Sequence, residues 1–240
     1  MASSRLRRFV DSLRHTPLHP QWLLSDRRIV TGKLRTLGSG HILDIGCADR
    51  WVEAKLPAGC EDTGIDYFVT GSLMYGASPD AFADAAALPL RDASVDAVVI
   101  LEVIEHLPSP RQALHEIARV LRPGGQLLLS VPFLYPIHDA PYDFQRFTEH
   151  GLAHEIELAG MRVCELRPSL GAVQTAGLIV CLALGGMAAE SVRRRSLGVL
   201  LFPFAALAVS IINVTAWVAG KLLPGWTAVT AGYVAVARKS

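Results

Sequence analysis

Charge and cysteine are both scarce in this chain, and each shortage excludes something. Only 19% of the 240 residues are charged, against 51% that are hydrophobic, and the mean hydropathy is +0.33. So apolar a composition implies surface facing lipid or a partner in addition to a buried core. The four cysteines, Cys47, Cys60, Cys164 and Cys181, make no C-x-x-C pair and show no Cys/His ligand spacing. A disulfide framework and a structural zinc are therefore not expected, no metal is predicted, and a reducing compartment is the simpler reading. The first fourteen residues are basic but lack the continuous apolar stretch of a secretory signal, so the domain that follows is expected to stay in the cytoplasm. Internal repeats and low-complexity tracts are missing too.

What charge there is lies unevenly. Residues 1–35 hold eight Lys and Arg against two Asp and Glu, residues 36–166 eight against nineteen, and residues 167–240 seven against one. A nucleic-acid binder would carry its basic patch on the working domain, so an acidic middle argues against nucleic acid as a partner. Two basic, partly apolar ends suit attachment to an anionic membrane surface. Residues 1–37 read as a helical segment: Arg5, Arg7, Arg8 and Arg14 surround Leu6, Phe9, Val10 and Leu13 at helical spacing, and a second helical stretch runs from Trp22 towards Leu37.

From Gly38 the pattern alternates. Strands are predicted at His41–Ile45, Thr63–Asp66, Asp80–Ala83, Val95–Leu101, Gln126–Val131, Met161–Leu166 and Gly232–Ala237. Helices are predicted at Arg50–Leu56, Pro110–Leu121 and Thr148–Ala159, with a turn at Arg122–Gly125. Strands alternating with helices imply an α/β fold whose mainly parallel sheet is covered on both faces. Pro168–Ala189 and Ser196–Gly220 are 22 and 25 residues without a charge, separated by Arg193, Arg194 and Arg195. Each is long enough to cross a bilayer. The alternating segment after them reads as the last strand of the sheet, which makes residues 168–227 an insertion into a domain of residues 38–167 and 228–240. Because both ends of the insert join one sheet, it crosses a membrane an even number of times or not at all. A spanning pair of helices would put the three arginines on the far side, against the positive-inside bias. Helices in the interface, or a shallow hairpin entered from the cytoplasmic side, keep them among headgroups; burial in a soluble core or against a second subunit is the competing reading.

The first strand ends Asp44-Ile-Gly46-Cys47-Ala48-Asp49, and ligands of open α/β sheets sit at such strand ends. A dinucleotide site would want G-x-G-x-x-G to present amides to a pyrophosphate. Here the later glycines are missing and an acid stands where phosphate would be repelled, so a cofactor with a cationic amino group fits better. Asp66, ending the second strand 22 residues on, is placed to accept hydrogen bonds from ribose hydroxyls. Taken singly, each acid also reads as a solvated strand-end charge.

The segments ILDIGCAD (42–49), GID (64–66), DAAALPLRDASVDAVVILEVIEHLPSP (84–110) and EIARVLRPGGQLLLSVP (116–132) together resemble the class I S-adenosylmethionine-dependent methyltransferases of the type 11 group. The resemblance covers roughly residues 40–166. It implies a Rossmann-like seven-stranded sheet with an antiparallel last strand. It also implies S-adenosylmethionine as cofactor, held around Asp44, Gly46, Cys47, Asp66, Tyr67, Asp84, Ala85 and Glu102. The Ala48-Asp49 pair departs from the glycine-rich turn of many members.

Residues 132–148 then form a Pro-stiffened aromatic loop where an acceptor would lie, resembling a bacterial subgroup with the same Pro-Phe-x-Tyr-Pro-x-His block. Methyl transfer from a sulfonium is an in-line displacement, needing alignment and removal of the acceptor's proton. His138 is the candidate base, Asp143 its orienting partner, and Arg146 either holds an anionic part of the substrate or pairs with Asp143. His106 is a second candidate, and a purely structural loop is the bland reading of all four. The function expected is O-methylation of a lipid-linked or amphipathic small molecule. C-methylation of a quinone or isoprenoid precursor is the alternative in chemistry, and a catalytically silent membrane-associated binding protein the alternative in class.

Overall fold

The structure, a computed structural model, describes residues 13–72 and 77–240. The basic helix expected over residues 5–14 lies outside the described residues except for its last two positions. The chain divides into two units. One holds Arg27–Phe133, Ile137–Arg167 and Gly232–Ser240; the other holds the chain up to Asp26, Leu134–Pro136 and Pro168–Ala231.

The first unit is the α/β domain. Its strands are β1 (Gly40–Ile45), β2 (Cys60–Asp66), β3 (Ala81–Phe82), β4 (Val95–Leu101), β5 (Leu121–Pro132), β6 (Met161–Pro168) and β7 (Gly232–Lys239). They form one sheet in the order β3-β2-β1-β4-β5-β7-β6, parallel from β3 to β5, with β7 antiparallel to β5. Helices α1 (Arg27–Leu34), α2 (Pro110–Val120) and α3 (Glu149–Leu158) complete it. The unbroken apolar run of β4 is buried on both sides. Val98 and Ile100 join the core under α2 and α3, while Ala97 and Val99 join Val30 and Leu34 of α1 in the other. From Ala97 to Leu101, past Asp96, this central parallel strand is therefore apolar at every position, where a one-sided strand would alternate.

Local readings were overruled in three places. The helix expected from Trp22 begins only at Arg27. The helix expected over Arg50–Leu56 is a single 3-10 turn, Glu53–Lys55. The Arg122–Gly125 turn does not reverse the chain but is a bulge inside β5, where pairing jumps from Val95↔Leu121 to Ala97↔Gln126. Gly124 takes a left-handed φ of +77° there, which explains the turn-like composition.

The second unit is built on α4 (Ala172–Arg193) and α5 (Phe202–Leu222), joined by a 3-10 turn at Leu197–Leu201. The two helices pack closely: a Cβ on Gly177 would lie 2.5 Å from that of Ala216. Asn213, fully buried in α5, donates through Nδ2 to the carbonyl oxygens of His19 and Val209 and accepts from the Leu23 amide, so it fastens the preceding segment to the pair. A small core of Leu24, Leu170, Leu178, Ala216 and Ala231 lies beside it. Both helices are long and apolar enough to cross a membrane, and only 22% and 11% of their most apolar stretches are buried.

Candidate active site

The chain passes from β1 outward through β2 and β3 and returns to β4 beside β1, so the order of strands reverses between β1 and β4. Crevices at such reversals, beyond the carboxyl ends of the strands, are where open α/β sheets bind ligands. Gly46 makes the turn after β1 with φ +77°, and its amide and that of Cys47 donate to the Ile65 carbonyl. A Cβ on Gly46 would lie 2.3 Å from Val103 Cγ2, so the turn is closed down onto the loop that follows β4.

Around this turn carboxylates are packed without their full complement of partners. Asp44 is buried and its Oδ2 has no hydrogen-bond partner among the described residues. Burial, then the nearby charges of Asp62, Asp66 and Asp49, push its pKa up to about 8, opposed by Arg50. Asp66, also buried, accepts the Ala48 amide on Oδ2 at 3.1 Å and the Tyr67 amide on Oδ1 at 2.8 Å; burial raises its pKa in spite of them. Arg50 spans the rear of the site, donating to Asp80 at 2.6 Å, Glu53 at 3.0 Å and Asp62 at 3.1 Å. It does so from a left-handed φ of +56°, and these ion pairs, rather than helix propensity, set the backbone after Asp49.

The remaining residues expected at the cofactor site are placed as follows. Cys47 is buried, and burial with the Asp44 and Asp66 charges pushes its thiol to about 12, which leaves it a packing residue and not a thiolate. Tyr67 is exposed. Asp84 is exposed after β3, its Oδ1 accepting the Ala86 amide, and Ala85 beside it is in the core. Glu102 stands at the end of β4 with φ +55° and accepts the Ser130 hydroxyl at 2.8 Å.

The acceptor-side candidates converge, around a residue that was not singled out. Glu105, in the 3-10 turn Ile104–His106, is completely buried, and neither carboxylate oxygen has a hydrogen-bond partner among the described residues. Its Oε1 lies 3.6 Å from His106 Nε2 and 3.7 Å from His138 Nε2, and the two rings meet edge to face at 4.8 Å. His106 Nδ1 lies 2.8 Å from the Tyr142 carbonyl oxygen. His138 Nδ1 lies 3.3 Å from Asp143 Oδ2, which also accepts the His138 amide. Arg146 grips Asp143 through both terminal nitrogens and holds its carboxyl well below the usual range. Burial works against charge on His138, but the facing Glu105 carboxylate, then Asp143 and Asp139, raise its pKa above the ordinary value. Of the two readings for Arg146, pairing with Asp143 is the one the geometry displays. Glu105 was visible only as one letter of Glu-Val-Ile-Glu-His; its neighbour His138 is 33 residues away, and nothing local marks a Glu as buried.

The family model described as a methyltransferase domain matches residues 43–129, the stretch from β1 into β5 that contains the strand reversal and both carboxylate groups. Residues 43–129 are a class I S-adenosylmethionine-dependent methyltransferase domain. The chain is 43% identical over 96 residues to a Mycolicibacterium smegmatis protein described as an S-adenosylmethionine-dependent methyltransferase, covering 39% of this chain and 37% of that one. It is 33% identical over 176 residues to the O-methyltransferase cnsE of Penicillium expansum, covering 61% and 62%. The chain thus spans about two fifths to three fifths of these relatives' length. The solved structure of the cyclase SpnF superposes with a TM-score of 0.55 at 20% identity, over 89% of this chain and 80% of that one. It shows the fold alone, so the chemistry must be read at the site. That site fits S-adenosylmethionine: the orphaned buried oxygen of Asp44 is suited to a cationic amino group, and Asp66 to ribose hydroxyls.

Proposed function

We propose that this methyltransferase domain methylates a hydroxyl oxygen on a lipid-linked or amphipathic small molecule at the cytoplasmic face of a membrane. The observation that carries the reading is the buried Glu105 flanked by His106 and His138, next in the chain to the end of β4. S-adenosylmethionine, when bound, supplies a sulfonium-borne methyl group that passes to the acceptor oxygen as the carbon–sulfur bond breaks and the acceptor's proton leaves. Asp44 and Asp66 hold the amino and ribose ends, and the Glu105–His106–His138 cluster takes charge of the acceptor's proton. C-methylation of a quinone or isoprenoid precursor also has to shed a proton, so the cluster serves either chemistry; cnsE, named an O-methyltransferase, favours oxygen. The apolar, largely unburied α4 and α5 support a membrane as the place where such an acceptor is met. Mass spectrometry of lipids and glycans from cells with and without the gene tests the reading. A species differing by one methyl group identifies the acceptor; identical profiles count against it.

Two expectations concern the cofactor. Asp66→Ala weakens S-adenosylmethionine binding by about 1.5–3 kcal/mol, the range for hydrogen bonds to a charged group. Calorimetric titration measures it, and equal affinity in the variant removes Asp66 from the ribose role. The affinity of the unaltered protein depends on pH through Asp44, whose pKa of about 8 keeps it largely protonated near neutrality. An ammonium group favours the ionised form, so binding releases a proton, and affinity rises with pH up to about 8 before levelling. In Asp44→Asn that slope disappears. A slope that persists in the variant assigns it to another group.

A further inference from the structure

Glu105, His106 and His138 offer one carboxylate oxygen and two imidazole nitrogens, all within 4.8 Å of one another. We propose that these three residues bind a single divalent transition-metal ion. The proposal rests, for its catalytic meaning, on the methyl-transfer reading above, and goes beyond it in naming what handles the acceptor's charge.

Three observations carry it. First, Glu105 is fully buried and both oxygens lack a hydrogen-bond partner among the described residues. A carboxylate in that position costs several kcal/mol unless something positive meets it. Arg146 of this loop makes its ion pair with Asp143 and reaches Glu105 only through its charge. Second, each imidazole is held from behind. His106 Nδ1 faces a carbonyl oxygen, which can only accept, so the proton sits on Nδ1 and Nε2 presents its lone pair when the ring is uncharged. His138 Nδ1 faces the Asp143 carboxylate in the same manner. A ring nitrogen bonded to a carbonyl or carboxylate, with the opposite nitrogen turned inward, is the usual support of a metal-bound histidine. Third, two of the three separations are near those around an ion, while the donors as a group span up to 4.8 Å, so the rings must close by about half an ångström or more to share one. Donors about 2.0–2.1 Å from a tetrahedral centre stand about 3.4 Å apart, and Glu105 Oε1 is already 3.6 and 3.7 Å from the two Nε2 atoms.

Two imidazoles and one carboxylate favour zinc over magnesium or calcium, whose preferred donors are oxygens alone. Three protein donors leave a coordination position open, and a cation there lowers the pKa of an acceptor hydroxyl beside it.

The test strips the full chain, purified in detergent, with a chelator and dialyses it against zinc, then cobalt(II). The expected result is one equivalent of zinc per chain and visible cobalt absorption, with stoichiometric uptake lost in His106→Ala, His138→Ala and Glu105→Gln. S-adenosylmethionine titration checks that each variant is folded; should the buried Glu105→Gln fail that check, His138→Ala, altered in a loop, carries the test. No zinc uptake by the stripped chain, or equal uptake by it and the folded variants, overturns the site. Methyl transfer that proceeds undiminished in chelator overturns its catalytic role while leaving the methyltransferase reading intact. Stoichiometric, variant-sensitive zinc without S-adenosylmethionine binding supports the site and removes that reading instead.

Discussion

Exchanging His138 for alanine lowers methyl-transfer turnover by about 10²–10⁴-fold and leaves S-adenosylmethionine affinity nearly unchanged. The size follows from what the ring touches. Its Nε2 is one of the two nitrogens facing the buried Glu105 oxygen, and its Nδ1 is held by Asp143, itself fixed by Arg146. Removing the imidazole leaves Glu105 with a single flanking ring and leaves Asp143 and Arg146 paired with nothing to position. Affinity for the cofactor is spared because Asp44 and Asp66 belong to β1 and β2 and make their contacts there. Single-turnover rates with a labelled methyl donor, alongside calorimetric titration, separate the two quantities. Unchanged turnover would make the loop a structural cover and shift attention to His106.

The second large effect concerns the helical insert. Leu200, Phe204 and Leu207 are 72%, 70% and 60% exposed, an arrangement that water penalises. Each side chain of this kind gains about 1.5–3 kcal/mol when it leaves water. Replacing all three with aspartate therefore removes roughly 5 kcal/mol or more of membrane affinity, over a thousandfold in partition. Vesicle flotation of the two proteins measures it. Recovery of the unaltered protein in the soluble fraction would overturn the membrane reading altogether. A cysteine placed at position 194 distinguishes the two membrane forms: an impermeant reagent applied outside intact cells reaches it only if α4 and α5 span the bilayer. Lying in the interface or entering as a shallow hairpin, they keep it protected.

How far residues announced these features depends on whether the deciding interaction was local. The sheet was readable because strand burial leaves a direct mark: every position from Ala97 to Ile100 is apolar since both faces are covered, and β7 was recognised from the alternation at Gly232–Ala237. The Asp44–Gly46 turn was readable for a similar reason, as a glycine beside an acid at a strand end. Where tertiary contacts decide, the reading failed. Arg50 has ordinary helix propensity, yet its guanidinium goes to Asp62 and Asp80, and the backbone follows it out of the helix. Gly124 and Gly125 look like a reversal because a bulge and a turn draw on the same left-handed backbone. Glu105 is the instructive case. Its chemistry comes from burial and from a ring brought back by a loop more than thirty residues later, and neither leaves a signature in the letters around it.

The position of β7 has a consequence for how the chain is made. In the sheet β7 lies between β5 and β6, so β6, at the sheet's end, has β7 as its neighbour and no strand beyond it among the described residues. Yet β7 is the last strand in the chain, and α4 and α5 are synthesised before it. The ribosome therefore delivers both greasy helices while β5 still has an open edge and β6 has no strand to pair with. Unpaired edges of this kind recruit other chains when they wait in solution. Strand β7 thus acts as a keystone: arriving after α4 and α5, it pairs with both β5 and β6 and closes two edges at once.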